Sequence, residues 1–143
     1  MKRKQFTKFL TCFFCVVLIA AMALSAVGCA GNKDEEKQLF QNGQMVGTGE
    51  IQFTLIIVDM KWEPVTLQVS TDKTILGEAL MELGIIDGEA GPYGLYIKTV
   101  NGRTLDYTKD GKYWALYEGD TYAQDGADGI TITNGASYAL KAE

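Results

Sequence analysis

VTLQVSTDKTILGEALMELGIIDG, residues 65–88, changes period midway, and that change decides the fold. Val65, Leu67 and Val69 alternate with polar residues, as in a strand with one buried face. From Leu76 the apolar positions fall instead at Leu76, Ala79, Leu80 and Leu83, the i, i+3, i+4, i+7 spacing of an amphipathic helix. Asp72 or Thr74 is expected to cap its start and Gly84 to end it. On the N-terminal side, GEIQFTLIIVDM alternates as well. Ile51, Phe53, Leu55 and Ile57 lie on one face, while Ile56 and Val58 make the other partly apolar, as in a central strand. A turn around residues 61–64 joins the two strands into a hairpin.

Beyond the helix, Leu95–Val100 reads as a strand closed by the turn Asn101-Gly102, KYWALYEG as a second strand and ASYALKA as the last. Two strands, one helix and three strands make an α+β domain over residues 50–143, a mixed sheet packed on one helix in the order of a β-grasp fold. Residues 30–49, AGNKDEEKQLFQNGQMVGTG, are polar and without sustained periodicity, so 29–49 reads as a flexible tether.

The first 28 residues read as a signal peptide. Lys2, Arg3, Lys4 and Lys8 precede an uncharged apolar run from Phe9 to Val27, which on length alone would also serve as a membrane-spanning helix. The small residues Ala26 and Gly28 immediately before Cys29 resemble the lipobox of bacterial lipoproteins, which implies cleavage before Cys29 and a lipid on its thiol. Leu would be the usual residue where Ala26 stands. The implied location is the extracytoplasmic face of a cell membrane, held through the lipid anchor.

Removing residues 1–28 also removes Cys12, Cys15 and four positive charges. The formal charge moves from −5 to −9 on 115 residues, and the remaining domain has neither a disulfide nor thiol chemistry. Such an acidic chain is not expected to bind nucleic acid, whose phosphates need Lys and Arg. The chain contains no His, which excludes Ser-His-Asp triads and His-ligated zinc. Asp120, Asp125 and Asp128 suggest a calcium loop, but no Glu follows in register, and solvated turn residues explain them as well. No phosphate-cradling glycine motif or nucleophile elbow is present, and no carboxylate couple stands out as a glycosidase pair. No metal site, covalent cofactor or enzymatic activity is therefore expected, and binding is the function class left.

The aromatic residues are the candidates for it. On the strand at 113–117, Tyr113, Ala115 and Tyr117 share one face, while Trp114 and Leu116 share the other. Tyr93 and Tyr96 flank Gly94, where a missing side chain allows close approach. Each aromatic taken singly suits core packing. Together with the two Gly-rich loops they suit the apolar rim of a small-molecule site.

GPYGLYIKTVNG, YWALYEG and YAQDGADGITITNG, in this order, resemble the C-terminal β-domain of transcobalamin and intrinsic factor and the bacterial surface domains grouped with it. The resemblance covers residues 71–140. In those carriers the domain closes over cobalamin held against a helical barrel. It implies ligand contact by Tyr93 and Tyr96 from the aromatic-Gly-x-Tyr motif, and by Trp114 and Leu116 from the Tyr-Trp strand. Gln124 would lie at the start of the adjoining Gly-Ala loop, residues 124–129. The resemblance implies a cobalamin or corrinoid ligand passed to a membrane transporter, with the Trp114 side of its strand open to the ligand. Without His, a corrinoid would be gripped by shape and hydrogen bonds. This sequence shows no helical barrel, so it would supply half of the carriers' site, and ASYALKAE lacks the Trp often found near the family domain's end. The reading from a different class is a structural or interaction module that holds a protein or cell-wall partner.

Overall fold

The computed structural model describes residues 36–143. The expected signal peptide, Cys29 and the first part of the expected tether lie outside the described residues.

The alternating stretches form the hairpin their pattern predicts. β1 is Met45–Gly47, β2 is Ile51–Val58 and β3 is Val65–Thr71. β2 and β3 pair antiparallel in the register Phe53↔Val69, Leu55↔Leu67, Ile57↔Val65, so all six apolar side chains share one buried face. Helix α1, Leu76–Glu82, buries Leu76, Ala79 and Leu80 in the core beneath that face. It ends as expected at Gly84, whose φ of +67° is left-handed, while Ile85 N–H donates to Leu80 O at 2.9 Å.

Its start differs from expectation. Ile75 is the N-cap and no side chain caps it. Leu76 N–H instead donates to Ile130 O at 2.9 Å, and Ile132 N–H donates to Thr74 O at 2.8 Å. The returning 126–132 segment, with a 3₁₀ turn at Ala127–Gly129, takes the place that Asp72 or Thr74 was expected to fill. Gly77 makes this approach possible, since a Cβ there would lie 2.9 Å from Asp128 N.

The remaining strands are β4 (Ile86–Gly91), β5 (Gly94–Val100), β6 (Arg103–Thr104), β7 (Trp114–Glu118), β8 (Thr121–Tyr122) and β9 (Ser137–Ala142). A short helix α2, Tyr107–Asp110, precedes β7. The fold is α+β, but with two sheets where one was expected. A mixed six-stranded sheet runs β1-β3-β2-β9-β7-β8, and a three-stranded antiparallel sheet runs β4-β5-β6. In the larger sheet β2 lies parallel to β9 and β1 parallel to β3. The Leu95–Val100 strand belongs to the smaller sheet, because IDGEAG pairs with it as β4 through a register shift at Asp87/Gly88.

The tether expectation fails over residues 36–49. β1 hydrogen-bonds along β3, and Phe40 packs on the core. Asn101 is 1% exposed, and its Oδ1 accepts from Leu39 N at 3.0 Å and Phe40 N at 2.6 Å, while its Nδ2 donates to Phe40 O at 3.1 Å. Glu36 bridges Arg103 at 2.8 Å and Lys61 at 3.1 Å. Arg103 Nε also lies 2.9 Å from Asp59 Oδ2, off the line of a hydrogen bond, so charge alone holds that second contact. Backbone and side-chain bonds thus order a polar segment that carries little apolar surface of its own. Among the described residues no helix is long and apolar enough to cross a membrane.

Candidate ligand cleft

β7 and β5 come from different sheets, and an open cleft of about 310 Å³ lies between them. Its floor is the inward face of β7. Trp114 and Leu116 sit opposite Ala142 and Leu140 of β9, so both side chains turn into the core. Trp114 is 5% exposed, and its Nε1 donates to Arg103 O at 3.2 Å.

This corrects the expectation that the Trp114 side of the strand is open. The indole is a buried wall element, and the freer side chains of the strand are Tyr113 and Tyr117. Alternation places Trp114 and Leu116 on a common face, but it does not say which face the helix covers when both carry large residues.

The β4–β5 hairpin supplies the near wall through Tyr93, Leu95 and Tyr96. Tyr93, at the hairpin tip, is 93% exposed, while Tyr96 is 38% exposed. Gly94 has a φ of +103°, and a Cβ there would lie 2.5 Å from Asp128 Oδ1. That oxygen accepts from Leu95 N at 2.8 Å and stitches the hairpin to the 3₁₀ turn. Asp128, one of the three carboxylates that suggest a calcium loop, therefore has a structural partner.

Tyr113 and Tyr122 form the far wall, and Gln124 and Asp125 the polar lip. Gln124 Nε2 donates to Tyr122 O at 3.3 Å. All five sequence-selected residues, Tyr93, Tyr96, Trp114, Leu116 and Gln124, thus line one cleft, two of them as buried floor. Sequence reasoning missed Tyr122. Its signal was the two-residue turn Gly119-Asp120, which brings Tyr122 opposite Tyr117 in the β7–β8 hairpin.

On the face of the large sheet away from α1, Tyr117 and Tyr122 meet edge to face at 5.5 Å, and Lys141 Nζ sits 3.9 Å from the Tyr117 ring centroid. Tyr117 donates to Glu143 Oε1 at 2.6 Å, a bond that raises the phenol's pKa. The Tyr113 pKa is pushed up to about 12, first by hydrogen bonding with Tyr122 and then by partial burial and neighbouring charge, Glu143 included.

A larger depression, about 610 Å³, lies elsewhere, between β1, β3 and the end of α1. It is lined by Gly47, Thr48 and the 70–73 segment and crossed by the Lys73–Glu82 ion pair at 3.5 Å. It offers no aromatic ring, whereas the β5–β7 cleft joins a ring-lined apolar wall to a few polar groups, the usual composition of a small-molecule site. Among the described residues no group of three or more His, Cys, Asp or Glu is placed to hold a metal ion.

No family model matches the chain, and no curated protein matches it. Among solved structures, the fold is similar to a protein of Ruminococcus gnavus ATCC 29149, provisionally described as metal binding. The identity is 29% and the TM-score 0.61, over 66% of this chain and 97% of that one. The chain also aligns with haptocorrin, solved in complex with Cbi, at 18% identity and a TM-score of 0.48. That alignment covers 65% of this chain and 25% of haptocorrin.

Proposed function

We propose that this protein is a lipid-anchored, extracytoplasmic and non-enzymatic binding module that presents the β5–β7 cleft to a corrinoid and passes it to a membrane transporter. The observation that carries the reading is the convergence of Tyr93, Tyr96, Trp114, Leu116 and Gln124 on one cleft from a hairpin of one sheet and a strand and loop of the other. These are the positions singled out by the resemblance to the cobalamin carriers. The strand order β3-β2-β9-β7-β8 about a central parallel pair supports reading the large sheet and α1 as a β-grasp.

The cleft is at the small end of ligand sites, so it takes one edge of a macrocycle and leaves the rest exposed. Tyr93 and Tyr96 supply ring contacts, Gln124 and the tyrosine hydroxyls supply hydrogen bonds, and buried Trp114 keeps the floor rigid. A corrinoid carries its cobalt inside the ring. The description of the R. gnavus protein as metal binding is therefore compatible with a chain that has no His and whose described residues gather no ligand cluster.

The second reading, a module that grips a protein or cell-wall partner, is favoured by exposed Tyr122 on the open sheet face and exposed Tyr107 on α2.

Cobalamin titration separates the two. The chain has two tryptophans, so a Trp62→Phe variant reports from Trp114 alone. Saturable quenching of Trp114 together with a shift in the corrinoid's visible spectrum is expected. Absence of both signals removes the corrinoid reading and leaves the interaction module.

A further inference from the structure

The end of the domain at which the chain enters carries a loop with the composition of a membrane-contacting surface. β2 ends at Val58, and the connection to β3 runs Asp59-Met60-Lys61-Trp62-Glu63-Pro64. Met60 is 64% exposed, Lys61 is exposed and Trp62 is half-buried, with Lys61 Nζ 5.9 Å from the Trp62 ring centroid. An apolar side chain, an indole and a flexible cation in succession suit the headgroup boundary of a bilayer, where aromatic rings settle and Lys reaches for phosphate.

Glu36 fixes where the preceding chain arrives. It bridges Lys61 of this loop and Arg103, and it shares a depression with Met60 and Lys112. Seven peptide links separate Cys29 from Glu36, a reach of at most about 25 Å when fully extended. A lipid on Cys29 therefore holds this end near the bilayer, at a high effective concentration of surface.

Charge favours the same orientation. Lys61, Arg103, Lys112 and Lys141 gather where β2 and β9 end and β7 begins, against Glu36, Asp59, Glu63, Asp110 and Glu143, and Glu36 and Asp59 are held in the Arg103 and Lys61 pairs. The opposite end presents Glu50, Asp72, Glu118 and Asp120, with Lys73 as its basic residue, itself turned to Glu78 and Glu82. An anionic surface repels the second end more than the first.

We infer that the Met60-Lys61-Trp62 loop rests on the bilayer surface, so that the anchored domain is oriented and not free to tumble on a long tether. The inference rests on the lipid-anchor reading of Cys29. It is tested on the full lipidated chain reconstituted in phosphatidylcholine/phosphatidylglycerol vesicles that carry a headgroup nitroxide. Flotation reports anchoring, and tryptophan quenching of the floated protein reports contact.

Quenching in the wild type that disappears in Trp62→Phe is the expected result, with Trp114 shielded in both. Protein that floats but shows no quenching, or equal quenching in wild type and Trp62→Phe, overturns the contact and leaves the anchor standing. Protein that fails to float removes the anchor and the inference with it. A Met60→Asp, Lys61→Glu variant checks the chemistry at an exposed site, and its quenching should fall while flotation persists.

Discussion

Replacing Asn101 with Ala should detach the segment ahead of β1 from the domain. Three hydrogen bonds join the Asn101 side chain to Leu39 and Phe40, at 3.0, 2.6 and 3.1 Å. At about 0.5–1.5 kcal/mol each they contribute roughly 2–4 kcal/mol. Asn101 also holds a φ of +50°, where an Ala side chain adds about 1 kcal/mol of steric cost. Asn101→Ala should therefore lose roughly 3–5 kcal/mol, and Asn101→Gly, which adopts that φ freely, about 1 kcal/mol less. Urea unfolding measures both, and the midpoint should fall by more than about 1 M at unchanged slope. Amide exchange at Leu39 and Phe40 should quicken in either variant. A loss below about 1 kcal/mol in Asn101→Ala, with those two amides still protected, would refute the reasoning.

Leu80 is fully buried beneath the sheet, so Leu80→Ala should cost about 2–5 kcal/mol, and an unchanged melting temperature would show that α1 does not cover the core. Tyr93→Ala should leave stability within about 0.5 kcal/mol while weakening corrinoid affinity by roughly 1–3 kcal/mol. Equal affinity in calorimetry would remove Tyr93 from the site. Tyr113 should ionise near pH 12 in the folded protein, against an ordinary value of 10.0. Because the folded value is the higher, the stabilisation is complete below pH 10 and lost as pH climbs towards 12, and absorbance at the phenolate band should show a late step for Tyr113, beside the also raised Tyr117, that Tyr122→Phe brings earlier. Cys29→Ser should abolish metabolic labelling with fatty acid without altering the fold, and persistent label would show that the lipid is elsewhere.

The hairpin and helix were legible because their burial is periodic. Phe53, Leu55 and Ile57 alternate, and Leu76, Ala79 and Leu80 follow a helical face, so local pattern and tertiary packing agree. β1 and β4 were not legible. Met45–Gly47 is three residues long and owes its place to backbone bonds with β3, and IDGEAG has the composition of a turn. The ordering of residues 36–40 depends on Asn101, more than sixty residues away, a dependence that no window of sequence contains. At the cleft, residue types and motifs found five lining side chains. The burial of Trp114 was missed because β7 carries large residues on both faces, and only the register with β9 decides which face turns inward.

The parallel pairing of β2 with β9 governs when this protein can fold. Thr54 lies beside Ser137 and Val58 beside Lys141, so the centre of the large sheet joins an early strand to the last one. Until β9 is available, β2 has a bare inner edge and β7–β8 has no sheet to join. The large sheet must then await residues 137–142, and contacts this distant in sequence form slowly. A nascent chain in which residues 137–142 are still held in the ribosome keeps the two halves of this sheet apart on this account. A stop codon ahead of Ser137 would leave two open strand edges in one chain, and such a product should be cleared or aggregate where a shortened loop would be tolerated.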